Sequence, residues 1–438
     1  FRPPAAKVKE AFGELRIPIL ADIPFAHELT LEGSARISDY GNSSKAVWAY
    51  NVGAIWAPIP DIRLRVGYAK AVRAPTLSDS FATRSETFNA VTDPCNQTGA
   101  GGVADGPNRA ANCAAAGIPT TITYLADDGT PTTRPWTNIL GANLVGFNQG
   151  NAGLLPETGK SLTIGGVFQP SFLPGFTLSV DYYRINVANV ISGLTAQAII
   201  NRCYDDPGGI DNPFCGAIFR RSTGDVLTNF TFAGQSIRRL ENRTDVVIPR
   251  AGSEVGFINQ PFNFAALKTA GIDVDASYRT KIGEKTNLSL RAVVSWVDRR
   301  ENFSYITTPD RSDRLHGTLG DPIWAASFTG NLDFGPVDVN YNARYVGKQI
   351  ISNFGWETFF PHQGRTPTNP DARPTPWYSS VIYHNVRVGW DVNPKFRFYA
   401  GVDNLTNELP QLDATGIGND AIYPNTGRFF FAGAQVNF

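Results

Sequence analysis

The chain has 438 residues and a formal net charge of zero at pH 7, with 39 basic and 39 acidic side chains. Such a balance provides no positive field for nucleic acid, so a nucleic-acid partner is not expected. No stretch approaches the roughly 18–20 consecutive apolar residues of a membrane-spanning helix, which excludes a helical membrane protein.

Period-two alternation of apolar and polar residues is the dominant pattern along the chain, and it predicts β-strands. In "DIRLRVGYAK", the apolar file that runs from Ile62 to Tyr68 alternates with Arg63 and Arg65. Each strand therefore has one apolar face and one polar face. The pattern predicts about thirteen strands, at residues 12–22, 28–40, 45–57, 62–73, 157–169, 176–190, 268–280, 287–299, 322–334, 337–349, 380–392, 395–406 and 425–438.

The connections between these strands alternate between short and long. Short ones fall near 58–61, 170–175, 281–286, 335–336 and 393–395. Long ones are expected at about 74–156, 192–265, 300–321, 351–379 and 406–424. A soluble β-sandwich also alternates, but connections beyond roughly 12–15 residues are uncommon in compact domains.

Tight turns at one end and long loops at the other are typical of an outer-membrane barrel. The sequence therefore predicts an all-β fold, a transmembrane antiparallel β-barrel in a bacterial outer membrane. Its long loops are expected outside the cell and its C-terminus in the periplasm. Bacterial single-chain barrels usually have an even number of strands. Thirteen strands thus indicate either a count that is wrong by one or the back portion of a larger barrel.

Four cysteines, Cys95, Cys113, Cys203 and Cys215, form two close pairs in Gly-, Pro- and Asn-rich stretches. Three pairings are possible, and the local one (95–113 and 203–215) is favoured. Neither a C-x₂-C spacing nor a nearby histidine supports a metal site, so no metal and no cofactor are expected. Disulfides indicate an oxidising compartment such as the periplasm or the cell exterior.

Several segments together resemble the C-terminal barrel half of the TonB-dependent receptors of Gram-negative outer membranes. They are "VGYAKAVRAPTLSDSF" (66–81), "NAGLLPETGKSLTIGG" (151–166), "FTLSVDYYRINVANVIS" (176–192), "TAGIDVDASY" (269–278), "GVDNLTNELP" (401–410) and the final strand. The Cys-bearing segment 194–215 resembles an external loop that is common in large receptors of this family.

The resemblance implies a barrel of 22 strands that is occluded by an N-terminal plug and coupled through TonB to an inner-membrane energy-transducing complex. The plug and the early strands are not found here, so residues 1–438 are expected to form the last thirteen strands. Outer-membrane lipid, the plug and the early strands are the expected partners. The resemblance also implies that Phe438 is the signal read by the barrel-insertion machinery.

The expected function is energised uptake of a scarce nutrient, such as an iron–siderophore, cobalamin or an oligosaccharide. No Ser/His/acid or Cys/His arrangement is evident, so the protein is not expected to be an enzyme. A passive porin, a barrel-borne hydrolase and a structural component of an outer-membrane assembly are the alternatives. Loops of about 70–80 residues with their own disulfides are excessive for a passive porin.

The long loops carry aromatic and basic residues that are candidates for contacting a ligand. Trp and Tyr rings combine a large apolar surface with a polar group, and they stack on sugar rings and aromatic siderophores alike. The alternative is that these residues pack the loops. The candidate ligand-binding residues are Tyr124, Trp136, Trp356, Arg365, Trp377 and Tyr378.

Overall fold

Thirteen long strands form one antiparallel sheet in the computed structural model, and they pair in chain order from β1 to β13. The structure describes residues 7–41, 46–125, 130–138, 144–220, 229–232, 235–238, 254–303, 311–350, 353–371, 376–409, 412–413, 416–417, 422–424 and 426–436. The strands are β1 (Lys9–Ile23), β2 (Ala26–Asp39), β3 (Val47–Ile59), β4 (Ile62–Arg73), β5 (Glu157–Phe168), β6 (Phe176–Ser192), β7 (Phe262–Ile282), β8 (Thr286–Phe303), β9 (Trp324–Phe334), β10 (Val337–Val346), β11 (Val381–Asn393), β12 (Phe396–Asp403) and β13 (Phe429–Val436).

All thirteen strands lie where the alternation predicts them, and the differences are at their ends. Strand β12 was expected to reach residue 406 but ends at Asp403, because Asn404 has a φ of 52° and leaves the extended conformation. Strand β7 begins at Phe262, earlier than expected. The predicted last residue of the final strand, Phe438, lies outside the described residues.

The six connections at one end of the sheet are short, and five of the six at the other end are long. Strands are joined at one end by residues 24–25, 60–61, 169–175, 283–285, 335–336 and 394–395, and we call this the turn end. At the other end, the loop end, lie residues 40–46, 74–156, 193–261, 304–323, 347–380 and 404–428. Because antiparallel strands reverse direction at each connection, every long loop of the described sheet emerges at the same end.

The long loops contain short elements of their own. The helices are α1 (Leu77–Phe81), α2 (Arg109–Ala115), α3 (Ala196–Asp205) and α4 (Asn353–Phe359), with 3₁₀ turns at Val103–Asp105 and Cys215–Ala217. Short strands lie at Ser85–Asn89, Thr121–Leu125, Pro131–Pro135, Leu144–Asn148, Ile218–Arg220, Asn229–Phe232, Gln235–Arg238, Glu254–Asn259, Asp313–Arg314, Gln349–Ile350, Trp377–Tyr378, Leu412–Asp413 and Gly416–Ile417.

One face of the thirteen-stranded sheet is apolar and uncovered by the described residues. Ile164 and Trp324 on this face are 50% and 48% exposed, and Trp390 is 52% exposed. A large exposed apolar surface marks an interaction site. When such a surface extends over all strands of a sheet, the partner that it fits is the lipid of a membrane. Among the described residues, no helix combines the length and the apolar character needed to cross a bilayer.

The opposite, polar face carries ion pairs that reach across glycines. Arg65 on β4 donates through Nη2 to Oδ2 of Asp181 on β6 at 2.7 Å, and Gly165 of the intervening strand β5 lies beneath this pair. Arg397 on β12 reaches Asp338 on β10 diagonally, over Gly389 of β11, which lies opposite Asp338. The absence of a side chain at the middle strand lets the two charged groups meet.

Replacing Gly165 by alanine is expected to lower the free energy of unfolding by about 1–3 kcal/mol, as overpacked sites do. The added Cβ would lie 1.8 Å from Oδ1 of Asp181, so the carboxylate must leave Arg65. Urea unfolding of the full-length protein in detergent measures the change. Gly159→Ala in the same strand is the control, because the nearest atom to its Cβ is 4.0 Å away. Equal free energies of unfolding for the two variants would contradict the expectation that a side chain at position 165 displaces Asp181 from Arg65.

Candidate ligand-binding site

Two disulfides lie at the centre of a packed unit at the loop end. Cys95 is bonded to Cys113 of α2, and Cys203 of α3 is bonded to Cys215, which is the local pairing favoured by the sequence. We call this body the disulfide unit. Its buried core consists of Cys95, Cys113, Ile118, Trp136, Phe147, Ile199, Cys203, Tyr204, Phe214, Ala217, Ile258 and Phe262.

Buried polar contacts join the first long loop (74–156) to the second (193–261) within the disulfide unit. Asp93 has a fully buried side chain and accepts hydrogen bonds from Nη1 and Nη2 of Arg220 at 2.7 and 2.9 Å. Arg109 of α2 donates from Nε to Oδ1 of Asp205 of α3 at 2.6 Å. Because each pair takes one partner from each loop, the described parts of the two loops that form the disulfide unit are held together.

A second cluster, the aromatic unit, consists of Trp356 of α4, Phe360 and Trp377. The ring centroids are 5.3 Å apart for Trp356 and Phe360, 5.4 Å for Trp356 and Trp377, and 5.5 Å for Phe360 and Trp377. Trp356 is buried, whereas Trp377 is half-buried. The unit thus has a buried base and an accessible ring.

Cations lie directly on the faces of these rings. The guanidinium carbon of Arg314 is 3.7 Å from the ring centroid of Trp356, and Nζ of the exposed Lys348 is 4.6 Å from that of Trp377. Both distances are in the range of cation–π attraction. Burial lowers the pKa of Arg314, and the negative charge of Glu301 opposes that shift.

Two further arginines share one carboxylate beside the aromatic unit. Glu357 of α4 accepts from Nη2 of Arg365 at 2.8 Å and from Nη2 of Arg311 at 3.4 Å. His316 packs nearby, where its Nδ1 lies 3.1 Å from the backbone N of Arg300. Burial lowers the pKa of His316, and the charge of Arg314 adds to this shift. Nδ1 of a neutral His316 can accept a hydrogen bond from the backbone N of Arg300.

The structure brings four of the six candidate residues together and separates the other two from them. Trp356 and Trp377 belong to the aromatic unit, Arg365 binds Glu357 beside it, and the buried Tyr378 follows Trp377 and pairs with Gln349. Trp136 is fully buried in the disulfide unit. Tyr124 lies in the strand Thr121–Leu125, and its side chain is outside the described part.

Sequence reasoning missed Arg314, Lys348 and Phe360. Arg314 and Lys348 come from different loops and reach the aromatic rings only through tertiary packing, so their position along the chain gives no signal. Phe360 was detectable in principle, because it follows Trp356 by four residues at the end of a helix, the spacing at which helical side chains meet.

A sheet with an uncovered apolar face, turns at one end and long loops at the other defines the class of outer-membrane β-barrel proteins. Within this class the chain belongs to the family described as TonB dependent receptor-like, beta-barrel, whose profile matches residues 3–405. The expectation from the sequence segments is therefore confirmed at the level of the family. No curated protein sequence matches the chain significantly.

The chain is similar in fold to solved siderophore receptors. The siderophore receptor PirA of Acinetobacter baumannii superposes with a TM-score of 0.54 at 14% identity, over 99% of this chain and 46% of that protein. A mutant of the ferric enterobactin receptor of Pseudomonas aeruginosa gives 0.52 at 13% identity, over 99% and 45%. The chain thus spans less than half the length of these structures.

Proposed function

We propose that this chain is part of a TonB-dependent outer-membrane receptor that takes up an iron–siderophore. The aromatic unit with its cations is the observation that carries this proposal, because a cluster of aromatic rings beside positive charge suits an anionic ligand that has aromatic rings of its own. Family membership supports the receptor class. The names of the similar structures, which are siderophore receptors, support this ligand class over cobalamin or an oligosaccharide.

The proposed orientation places the loop end outside the cell and the turn end, with the C-terminus, in the periplasm. Outer-membrane barrels have short periplasmic turns and longer extracellular loops, which is the asymmetry of this sheet. The disulfides are consistent with this placement, since they require an oxidising compartment. The aromatic unit then faces the medium from which the ligand arrives.

The thirteen strands are proposed to be the C-terminal part of a larger closed barrel. In the described part of the chain, β1 pairs only with β2 and β13 only with β12. An open sheet edge leaves backbone groups unpaired in lipid, so closure by further strands is required. The remaining strands, a plug in the lumen and the TonB-linked inner-membrane complex are the proposed partners. No feature of the described sheet favours a passive porin or an assembly component over this receptor.

Within the aromatic unit, Trp377 and Lys348 are proposed to contact the ligand, because both are accessible. Arg365 is proposed to contribute charge, while Trp356 and Tyr378 support the accessible ring from below. Tyr124 is kept as a candidate in a separate loop segment. The burial of Trp136 favours a packing role for that ring.

Removing the accessible ring or its cation is expected to weaken binding of ferric enterobactin, used as a probe, by about tenfold for each change, as interface aromatic and cationic residues do. Trp377→Ala and Lys348→Gln in the full-length receptor test this by fluorescence titration. Trp377→Phe, which keeps a ring, should retain most of the affinity. Lys285→Gln at the turn end is the charge control. Unchanged affinity in Trp377→Ala would overturn the assignment of the site.

A further inference from the structure

Five adjacent strands carry a row of polar residues on the otherwise apolar face, just below the loop end. Residues in this row lie directly opposite each other across the strands: Lys70 (β4), Lys160 (β5), Asn186 (β6), Lys268 (β7) and Glu301 (β8). The next row toward the turn end contains Tyr68, Leu162, Arg184, Ala270 and Arg299. Side chains of one face repeat every two residues, so both rows point to the same side as Ile164.

We call the five cations of these rows, Lys70, Lys160, Arg184, Lys268 and Arg299, the basic belt. Arg299 is paired with Glu301 at 2.6 Å. Lys268 places its Nζ 4.0 Å from the ring centroid of Phe303. Glu301 lies opposite Lys268 across the strands, but its carboxylate is bonded to Arg299. Within the described ranges, no carboxylate lies within ion-pair distance of Lys268 or of the other three members. Four positive charges of the belt therefore have no anionic partner in the described protein.

The register makes this arrangement unfavourable without an anion. Lys70 and Lys160 are directly opposite each other, and like charges at such positions destabilise a sheet. Arg184 lies on the neighbouring strand β6, two residues from Asn186, which is opposite Lys160. It therefore adds a third positive charge to the group. An anion between these side chains would remove the repulsion, since charge-assisted hydrogen bonds to phosphate are strong.

The rows below the basic belt fix its depth. The third row consists of Val66, Ile164, Tyr182, Ile272 and Trp296. Aromatic side chains such as Tyr182 and Trp296 mark the boundary between hydrocarbon and head groups in membrane barrels. The cations two to four residues nearer the loops therefore lie at the level of the lipid head groups.

The belt is confined to one sector of the sheet. At the loop end of the same face, strands β9 to β12 present Trp324, Tyr345, Ile382 and Val402. A general attraction to the membrane surface would not require such a clustering. A cluster about 20 Å wide, from five strands spaced by roughly 4.8 Å, matches one large head group with several phosphates.

We propose that the basic belt binds the phosphate groups of a phosphorylated glycolipid in the membrane leaflet at the loop end. Lys70, Lys160 and Arg184 hold one phosphate, and Lys268 reaches the next. The assignment of that leaflet to the cell exterior rests on the orientation proposed above. The belt is separate from the aromatic unit, so lipid binding and ligand binding are independent properties of the receptor.

Native mass spectrometry of the full-length receptor, titrated in detergent with bisphosphorylated lipid A, tests the proposal. The double variant Lys160→Gln/Arg184→Gln is expected to bind lipid A about thirtyfold more weakly. It lacks two basic residues, and each basic residue near an anionic membrane surface contributes a similar amount to the binding free energy. Lys285→Gln at the turn end and the charge-keeping Lys160→Arg/Arg184→Lys pair should both bind like the wild type. Ferric enterobactin affinity should be unchanged in every variant.

Two outcomes would overturn the proposal. One is equal binding of lipid A and its dephosphorylated form to the wild type. The other is an equal loss of lipid A in Lys285→Gln and in the double variant. Because the charge-keeping pair preserves the belt, its normal folding and binding would also exclude a general folding defect as the cause of weaker binding. Failure of ferric enterobactin binding, in contrast, would bear on the proposed ligand alone.

Discussion

Replacing Asp93 by asparagine is expected to lower the free energy of unfolding of the disulfide unit by about 3–5 kcal/mol, as the loss of one partner of a buried ion pair does. The carboxylate accepts from Arg220 twice, from Asn138 Nδ2 at 2.8 Å and from the backbone N of Cys95 at 2.9 Å. Asparagine has one acceptor oxygen instead of two, and its NH₂ group would face donors. Arg220 would keep its charge but lose the carboxylate that accepts two of its hydrogen bonds.

Hydrogen exchange followed by mass spectrometry measures this effect in the full-length protein. Amides near residues 91–118 and 196–220 should exchange faster in Asp93→Asn, while those of the thirteen strands should not change. Asp275→Asn is the matched control, because its ion pair with Arg291 is largely exposed and such pairs contribute little. Exchange that is unaltered in the disulfide unit would show that the pair does not hold the two loops together.

A second large effect is expected for Gly175→Ala in the turn between β5 and β6. Gly175 has a φ of +88°, and its added Cβ would lie 1.9 Å from the backbone oxygen of Arg279. The backbone N of Arg279 donates to the carbonyl of Gly175 at 3.0 Å, so the turn cannot simply move away. Left-handed strain and overpacking together are expected to remove about 2–5 kcal/mol of stability.

The yield of folded protein after refolding into detergent micelles and the urea midpoint both report this change. Gly283→Ala provides a control that also has a left-handed backbone, since Gly283 has a φ of +72° but no atom within 4 Å of its Cβ. The difference between the two variants isolates the collision with Arg279. If both variants lose the same stability, the close approach at Gly175 has no energetic consequence.

The sheet was predictable from the sequence because each strand has a strict two-residue period with one uncovered apolar face. Strand β8 illustrates this: its predicted span of 287–299 falls inside the observed Thr286–Phe303. Its extension beyond Arg299 was not predictable, because the alternation is shifted at Asp298, where the register with β7 changes. The pattern identifies a strand only while the period persists.

The interior of the loops was not predictable. The strand Leu144–Asn148 pairs with Ser85–Asn89 and, in parallel, with Glu254–Asn259, which is more than 100 residues away in the chain. Trp136 and Trp377 have similar polar neighbours in sequence, yet one is fully buried and the other is accessible. Only the tertiary packing separates a ring that fills a core from a ring that faces solvent.

The short turns that join the strands have a consequence for how far the amino-acid sequences of proteins with this fold can diverge. Each hairpin is set by a few turn residues and by the two-residue period, so most strand positions require only the correct polarity. Identities of 13–14% over 99% of the chain are compatible with the shared fold for this reason. The loops at the opposite end can then lengthen, acquire disulfides or change their binding residues without shifting a single strand, and new specificities can arise on an unchanged frame.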